Sequence, residues 1–352
     1  MMKTTSPRNV LFAALGATAL LAAPAMAAPK DYKLPKPDGK PADMSKKVKV
    51  FIIMGQSNTL EFGKADMIKD DPMYSFAVND DGSFTERKDV RSVHVMGSGG
   101  FNPDKIGARR NHWLTIPGKK FGMEQGIGHQ LGHALDEPVL ILKSAIGNRG
   151  LGWDLLPPGS PSWEVEETNK KTGETKTMVY AGYGQSPAKW EKGTEPEPIG
   201  WKAGLQYDGD IGRANAVLAD LKTYYPDATG YEVAGFFWWQ GCKDRGNPAY
   251  FNRYEKHLGF LADALRKEFN APNAKFVGAS LGEDEEGVEN GGGAILEALK
   301  AHAAKDEKNG WVYTFPLKGG PGSSCGHYSG NGKTYMNVGL AMGAEMVELL
   351  KK

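Results

Sequence analysis

Cysteine is nearly absent from this chain: only Cys242 and Cys325 occur in 352 residues. Two thiols cannot frame a disulfide-built scaffold, although an even count permits one bridge in an exported chain. An excess of one charge is also missing. Lys and Arg number 43 against 42 Asp and Glu, a formal net charge of +1. That balance falls to about −1 if Lys3 and Arg8 are removed by processing, and neither value suggests a surface for nucleic acid or anionic membrane. Past the first thirty residues there is no long apolar run, so a soluble mature protein without membrane contact is expected. Internal repeats and inner linkers are missing too.

What is present begins with a leader. Lys3 and Arg8 precede an apolar run from Val10 to Leu21, and Ala25-Met26-Ala27 supplies small residues for cleavage. This reads as a signal peptide over 1–27, which implies export to a periplasm or the exterior. A Pro- and Lys-rich leader over 28–47 follows. The rest, 48–352, is long enough for one large domain or two small ones, and the absence of a linker favours one.

Strand-like and helix-like segments alternate along that domain. Strands are predicted at Val48–Met54, Pro138–Ala145, Tyr231–Trp239, Lys275–Leu281 and Trp311–Phe315. Helical periodicity marks Gly122–Leu135, Asp210–Tyr225, Tyr250–Phe269, Ala294–Ala304 and Lys333–Leu350. The alternation predicts an α/β protein: a flavodoxin-like α/β/α fold in three layers around a parallel sheet of about five strands. The stretch from Gly55 to about Lys120 shows little periodicity.

An insertion around 152–201 is irregular and aromatic. It holds Trp153, Trp163, Trp190 and Trp201, half of the eight tryptophans, and a hairpin signal around Lys171-Thr172-Gly173. Aromatic rings beside a catalytic edge suit stacking on sugar rings. Packing of the insertion onto the domain explains any one of them equally well. At least one is expected to reach a ligand.

The chemistry is expected where strands end, at the carboxyl edge of the sheet. The first strand runs into Gly55-Gln56-Ser57-Asn58, which stands a hydroxyl and a free backbone N–H on a sharp turn. Gly, Ser and Asn together are also ordinary turn residues. The second strand ends in Gly147-Asn148, the third in Gln240-Gly241-Cys242-Lys243-Asp244. Of the seven histidines, His327 alone lies on a loop at the predicted catalytic edge. His129 and His133, four apart on a predicted helix, lack a supporting third ligand, so no metal and no cofactor is expected.

These motifs occur in one order together with Gly122-Met123-Glu124, Lys143-Ser144-Ala145-Ile146-Gly147-Asn148, Trp238-Trp239-Gln240-Gly241 and Gly326-His327-Tyr328. The order resembles the sialate O-acetylesterase-like, carbohydrate esterase family 6 branch of the SGNH hydrolases, from about Val48 to Leu350. The resemblance implies hydrolysis of acetyl esters on carbohydrates by a serine esterase. It implies Ser57 as nucleophile, His327 as general base, and an oxyanion hole of the Ser57 N–H, the Gly147 N–H and the Gln240 amide. Family members usually carry an acid after Gln-Gly and an Asp three residues before the histidine. Here those positions are Cys242 and Ser324. Asp244 is the substitute on the same loop, with Glu61 and Glu124 behind it. Because both carboxylate positions would flank one histidine, the resemblance also implies that Cys242 and Cys325 lie close and form a disulfide. Two other functions are compatible with the sequence: a carbohydrate-binding protein with a degenerate esterase site, and a general SGNH esterase for small or lipid esters.

Overall fold

The computed structural model describes residues 32–283 and 285–352. The expected signal peptide, 1–27, lies outside the described residues. The leader is not detached from the domain, because Tyr32 and Leu34 pack against one of the two main cores.

Among the described residues the strands, in chain order, are β1 (Val48–Gly55), β2 (Gly63–Lys64), β3 (Arg87–Val95), β4 (Ala108–Leu114), β5 (Lys120–Phe121) and β6 (Val139–Ser144), then β7 (Trp163–Thr168), β8 (Thr175–Tyr180), β9 (Lys189–Glu191), β10 (Tyr231–Trp239), β11 (Lys275–Ala279) and β12 (Asn309–Val312). Seven of them make the central sheet, in the order β12-β11-β10-β1-β6-β3-β4. Every neighbouring pair is parallel except β3 with β4. The expected sheet of about five strands is therefore two strands too narrow. Both additions come from the stretch that showed little periodicity. In β3 charged residues interrupt the buried Val90, Val93 and Val95, and β4 is a mostly exposed edge strand rich in polar residues. Such an edge carries charge rather than an apolar run.

Burial on both faces explains why β1 reads as a continuous apolar run. Val48, Val50, Ile52 and Met54 enter one core; Phe51 and Ile53 enter the other. The first core is closed by helices Leu205–Ala219, Tyr254–Glu268 and Gly291–Lys305 through residues such as Ile211, Leu258 and Leu299. Helices Glu124–Ala134 and Gly332–Leu350 close the second, packed on each other through Ile127, Leu131, Met336 and Leu340. The result is the three-layer α/β/α arrangement.

The insertion forms a separate sheet, β7-β8-β9. Trp163 is buried against Tyr180 at 5.3 Å and His257 at 4.9 Å between ring centres. This aromatic pair fixes the insertion to the domain. Trp201 is placed differently, half-buried beside Arg149 at 5.0 Å.

Register brings the chemistry to one edge. Gly55 at the end of β1 lies opposite Trp239 of β10, and Ile53 opposite Lys143 of β6. The turns carrying Ser57, Gly147 and Gln240 therefore leave three adjacent strands on the same side.

Candidate active site

Ser57 starts a short 3-10 turn directly after β1. The strand ends on Gly55 at φ 144°, where a Cβ would meet the Trp239 carbonyl oxygen at 2.7 Å. Only glycine lets the chain turn so sharply there. Ser57 itself is half-buried, and its neighbours Gln56 and Asn58 are buried. On the facing turn, Gly147 presents a bare Cα to the serine: a Cβ there would lie 3.4 Å from Ser57 Cβ. Among the described residues no acceptor takes the backbone N–H of Ser57, Gly147 or Asn148. Asn148 holds φ 57°, and Arg149 donates from Nη1 to its carbonyl at 3.1 Å. Unpaired donors grouped beside a hydroxyl suit a developing negative charge.

The Gln240 side chain is fully buried and engaged. Its Nε2 donates to Arg149 O at 2.9 Å, Gln56 Oε1 at 3.1 Å and Asp244 Oδ2 at 2.5 Å. Its Oε1 accepts from the Tyr254 hydroxyl at 2.7 Å. An amide with two hydrogens and three acceptors has none to spare for a substrate. Gln56 is the reverse case. Its Oε1 accepts from Gln240 Nε2 and from Lys243 N at 3.3 Å, while its Nε2 has no partner among the described residues. Nothing in the order of motifs singled out Gln56.

Among the described residues no hydrogen bond joins Asp244 to His327. Its carboxylate accepts from Leu151 N at 2.9 Å, Gly152 N at 2.8 Å and Gln240. Burial pushes its pKa up to about 6, against the opposing pull of those hydrogen bonds. It ties the turn after Gly150 to the Gln240 loop. Glu124 and Glu61, the other acids considered, are drawn to Lys143, whose buried Nζ lies 2.6 Å from Glu124 and 3.4 Å from Glu61. Glu61 also meets His94 Nδ1 at 3.0 Å. Burial works to raise the Glu61 pKa, but Lys143 and His94 together hold it low.

His327 lies on the loop before the last helix, with its ring stacked flat on Phe62 at 4.0 Å. Phe62 is five residues beyond Ser57, so the imidazole rests on the nucleophile's own segment. Among the described residues no hydrogen bond joins the ring to Ser57 or to a carboxylate. Burial lowers its pKa. The loop is strained: His327, Tyr328 and Ser329 hold φ values of 53°, 50° and 54°. Left-handed backbone costs about 1–2 kcal/mol for each residue other than glycine. Three contacts hold the loop in place. The Tyr328 ring is buried against Trp239 at 5.5 Å. A disulfide joins Cys242 to Cys325, with Cα atoms 5.4 Å apart. Glu283 accepts from Ser324 N at 2.7 Å and Ser324 Oγ at 2.8 Å, and pairs with Arg245.

Glu283 is the acid that sequence reasoning missed. Its carboxylate is bound by Ser324, the residue at the position of the absent Asp, and it arrives from the loop after β11. The only available signal was an acidic run at the end of a strand. Cys242, Glu283 and Cys325 also form a group of metal-type donors, but both sulfurs are consumed in the disulfide. His129 is buried edge-on to Phe76 with its pKa lowered to about 3 by burial and Arg87, a core position.

A serine on a glycine turn at the carboxyl edge of a parallel sheet, with open N–H donors beside it, is an arrangement suited to nucleophilic attack on an ester. The comparisons narrow this. The model of the family described as carbohydrate esterase, sialic acid-specific acetylesterase matches residues 163–319, a segment that includes Gln240 but neither Ser57 nor His327. No curated protein matches the chain. Its fold is similar to that of a carbohydrate acetylesterase from Xanthomonas citri, with TM-score 0.50 and 16% identity over 85% of this chain and 56% of that one. A protein from Arabidopsis thaliana has TM-score 0.48 and 14% identity, over 86% of this chain and 99% of that one. The chain thus spans little more than half the length of the Xanthomonas protein.

Proposed function

We propose that this chain is an exported carbohydrate esterase that removes O-acetyl groups through an acetyl-serine intermediate. The observation that carries the reading is the pairing of Ser57 with the bare face of Gly147 and the open N–H groups around them. In this reading Ser57 Oγ attacks the acetyl carbonyl carbon and its proton passes to His327. The carbonyl oxygen becomes an oxyanion and accepts from the Ser57 and Gly147 N–H groups. Gln56 Nε2 supplies the third donor, because the Gln240 amide is occupied in holding Gln56 and the Gly150 turn. Collapse of the intermediate breaks the bond to the sugar oxygen, which takes the proton from His327. Water, deprotonated by the same imidazole, then releases acetate. Each donor of this kind is typically worth about 2.7–4 kcal/mol in the transition state.

His327 must leave the Phe62 ring or slide along it to reach Ser57. Catalytic hydrogen bonds that are loose in a free enzyme commonly tighten on binding. Tethering of the histidine loop to the Gln240 loop by the disulfide keeps that movement short. Export agrees with a disulfide and with the absence, among the described residues, of any helix long and apolar enough to cross a membrane.

The test is acetate release from a panel of acetylated glycans by the wild type and by Ser57→Ala. Loss of release in the variant by several orders of magnitude supports the reading. Equal release by both, or none from any glycan or simple acetate ester, refutes it. The second outcome favours a carbohydrate-binding protein.

A further inference from the structure

Beside the histidine loop lies a groove of about 530 Å³ lined by Lys64, Lys69, Lys119, Lys120, Phe84 and Asp66. All four lysines are exposed, and among the described residues none pairs with a carboxylate. This concentration is not inherited from composition, since the whole chain carries a formal charge of only +1. The backbone enforces it. In the small antiparallel ladder of β2 with β5, Lys64 lies directly opposite Lys120. Like charges at facing positions destabilise a ladder, so the pair costs stability unless something negative lies between. Lys119 extends the row, and Lys69 closes it from the helical turn Asp66–Lys69, its Nζ 5.0 Å from the Phe84 ring.

Two lysines of the groove reach toward the proposed catalytic site. Lys120 Nζ lies 5.8 Å from the centre of the Phe62 ring, and the same ring stacks on His327 at 4.0 Å. The stem of Lys64 runs beside the histidine loop, where a Cβ on Gly330 would lie 3.4 Å from Lys64 Cε. A sugar chain with its acetylated residue at Ser57 would cross Phe62 and enter the groove within a few units.

We propose that this groove is a subsite for the carboxylates of an acidic polysaccharide, so that the substrate is an acetylated polyuronate rather than a neutral glycan. Carboxylates of successive uronic acid units sit between the lysines and relieve the repulsion across β2 and β5. Phe84 offers an apolar face to the ring carbons of a sugar. The assignment rests on the esterase reading and adds to it the class of glycan.

The experiment compares the full chain with its Lys64→Gln/Lys119→Gln/Lys120→Gln variant. Turnover is measured on acetylated polygalacturonate, acetylated xylan and p-nitrophenyl acetate at low and physiological salt. The expected result is a fall of about tenfold or more in kcat/KM for polygalacturonate relative to p-nitrophenyl acetate, carried by KM. The xylan ratio stays within twofold. Salt is expected to weaken wild-type activity on polygalacturonate much more than that of the variant. An unchanged polygalacturonate ratio, or an equal loss on xylan, overturns the assignment. Binding of unacetylated polygalacturonate to Ser57→Ala, with and without the lysine substitutions, reports on the groove without any turnover. Weakening of that binding by the substitutions supports the subsite even if the esterase reading fails, whereas equal binding overturns it.

Discussion

At the scale of single residues, the site is governed by which polar groups are left open. Among the described residues Ser57 and Gly147 keep N–H groups without an acceptor, whereas Asp244 and Gln240 are engaged by each other, by neighbouring side chains and by the backbone. This separates two roles that proximity in sequence had merged. Asp244 lies two residues beyond Cys242, and membership of the Gln240 loop made it the natural orienting acid. Loop membership does not fix direction, and the carboxylate points to Leu151 and Gly152. A prediction follows from the two environments. Burial lowers the His327 pKa, so the acid limb of kcat/KM is expected below the usual imidazole value of about 6.5. Asp244→Asn is expected to leave that limb in place while lowering Tm, because a buried N–H loses its acceptor at a cost of about 1–3 kcal/mol. A limb displaced in the variant would return Asp244 to the imidazole.

At the scale of elements, the histidine loop is a left-handed turn that persists because its surroundings hold it. The strain of three successive non-glycine residues is offset by the burial of Tyr328, by Glu283 and by the disulfide. The bridge spans 83 residues, and closing a loop of that size stabilises a fold by about 4.5 kcal/mol in the chain-entropy account. Cys242→Ser/Cys325→Ser is therefore expected to lower Tm by several degrees and kcat by tenfold or more, with KM for small esters little changed. Thermal melts and steady-state kinetics check this, and unchanged kcat would show that Tyr328 and Glu283 suffice to hold the loop. The proximity of the two cysteines was implied by the family resemblance, whose two carboxylate positions they replace or adjoin. Glu283 was not legible, because it reaches Ser324 from 41 residues away through a loop of no distinctive pattern.

At the scale of the molecule, two cores on opposite faces of one sheet bury several histidines. Burial first, then Arg253 and Lys256, lowers the His257 pKa to about 3, and His302 is lowered to about 4. The sign follows from proton counts. Above about pH 6.5 His257 is neutral in both folded and unfolded chains. As pH falls from there towards 3, the unfolded chain takes up a proton that the folded chain refuses. Stability attributable to this residue falls by about 1.4 kcal/mol per pH unit across that window. Asp210, raised to about 8 by burial, acts in the opposite direction, binding its proton in the folded chain. Comparison with a variant isolates one group: His257→Gln is expected to show a shallower loss of Tm between pH 6 and 4 than the wild type. Parallel melting curves would contradict the assignment.

The strands buried on both faces were legible in the sequence, because a parallel sheet turns burial into unbroken apolar runs such as Val48–Met54. The helices were legible from their period, and the placement of Ser57, Gly147 and Gln240 on turns at one sheet edge from the strand ends that carry them. Tertiary structure alone decided three matters. It added β3 and β4, whose charged residues hide any alternation. It directed Asp244 and Gln240 inward, leaving the Gln56 amide open. It also set Lys64 against Lys120, residues far apart in the chain and joined only by a ladder of two residues on each side. The physical reason is common to all three. Periodicity and spacing report which residues are buried, whereas the direction of a polar side chain is set by partners that only folding brings near.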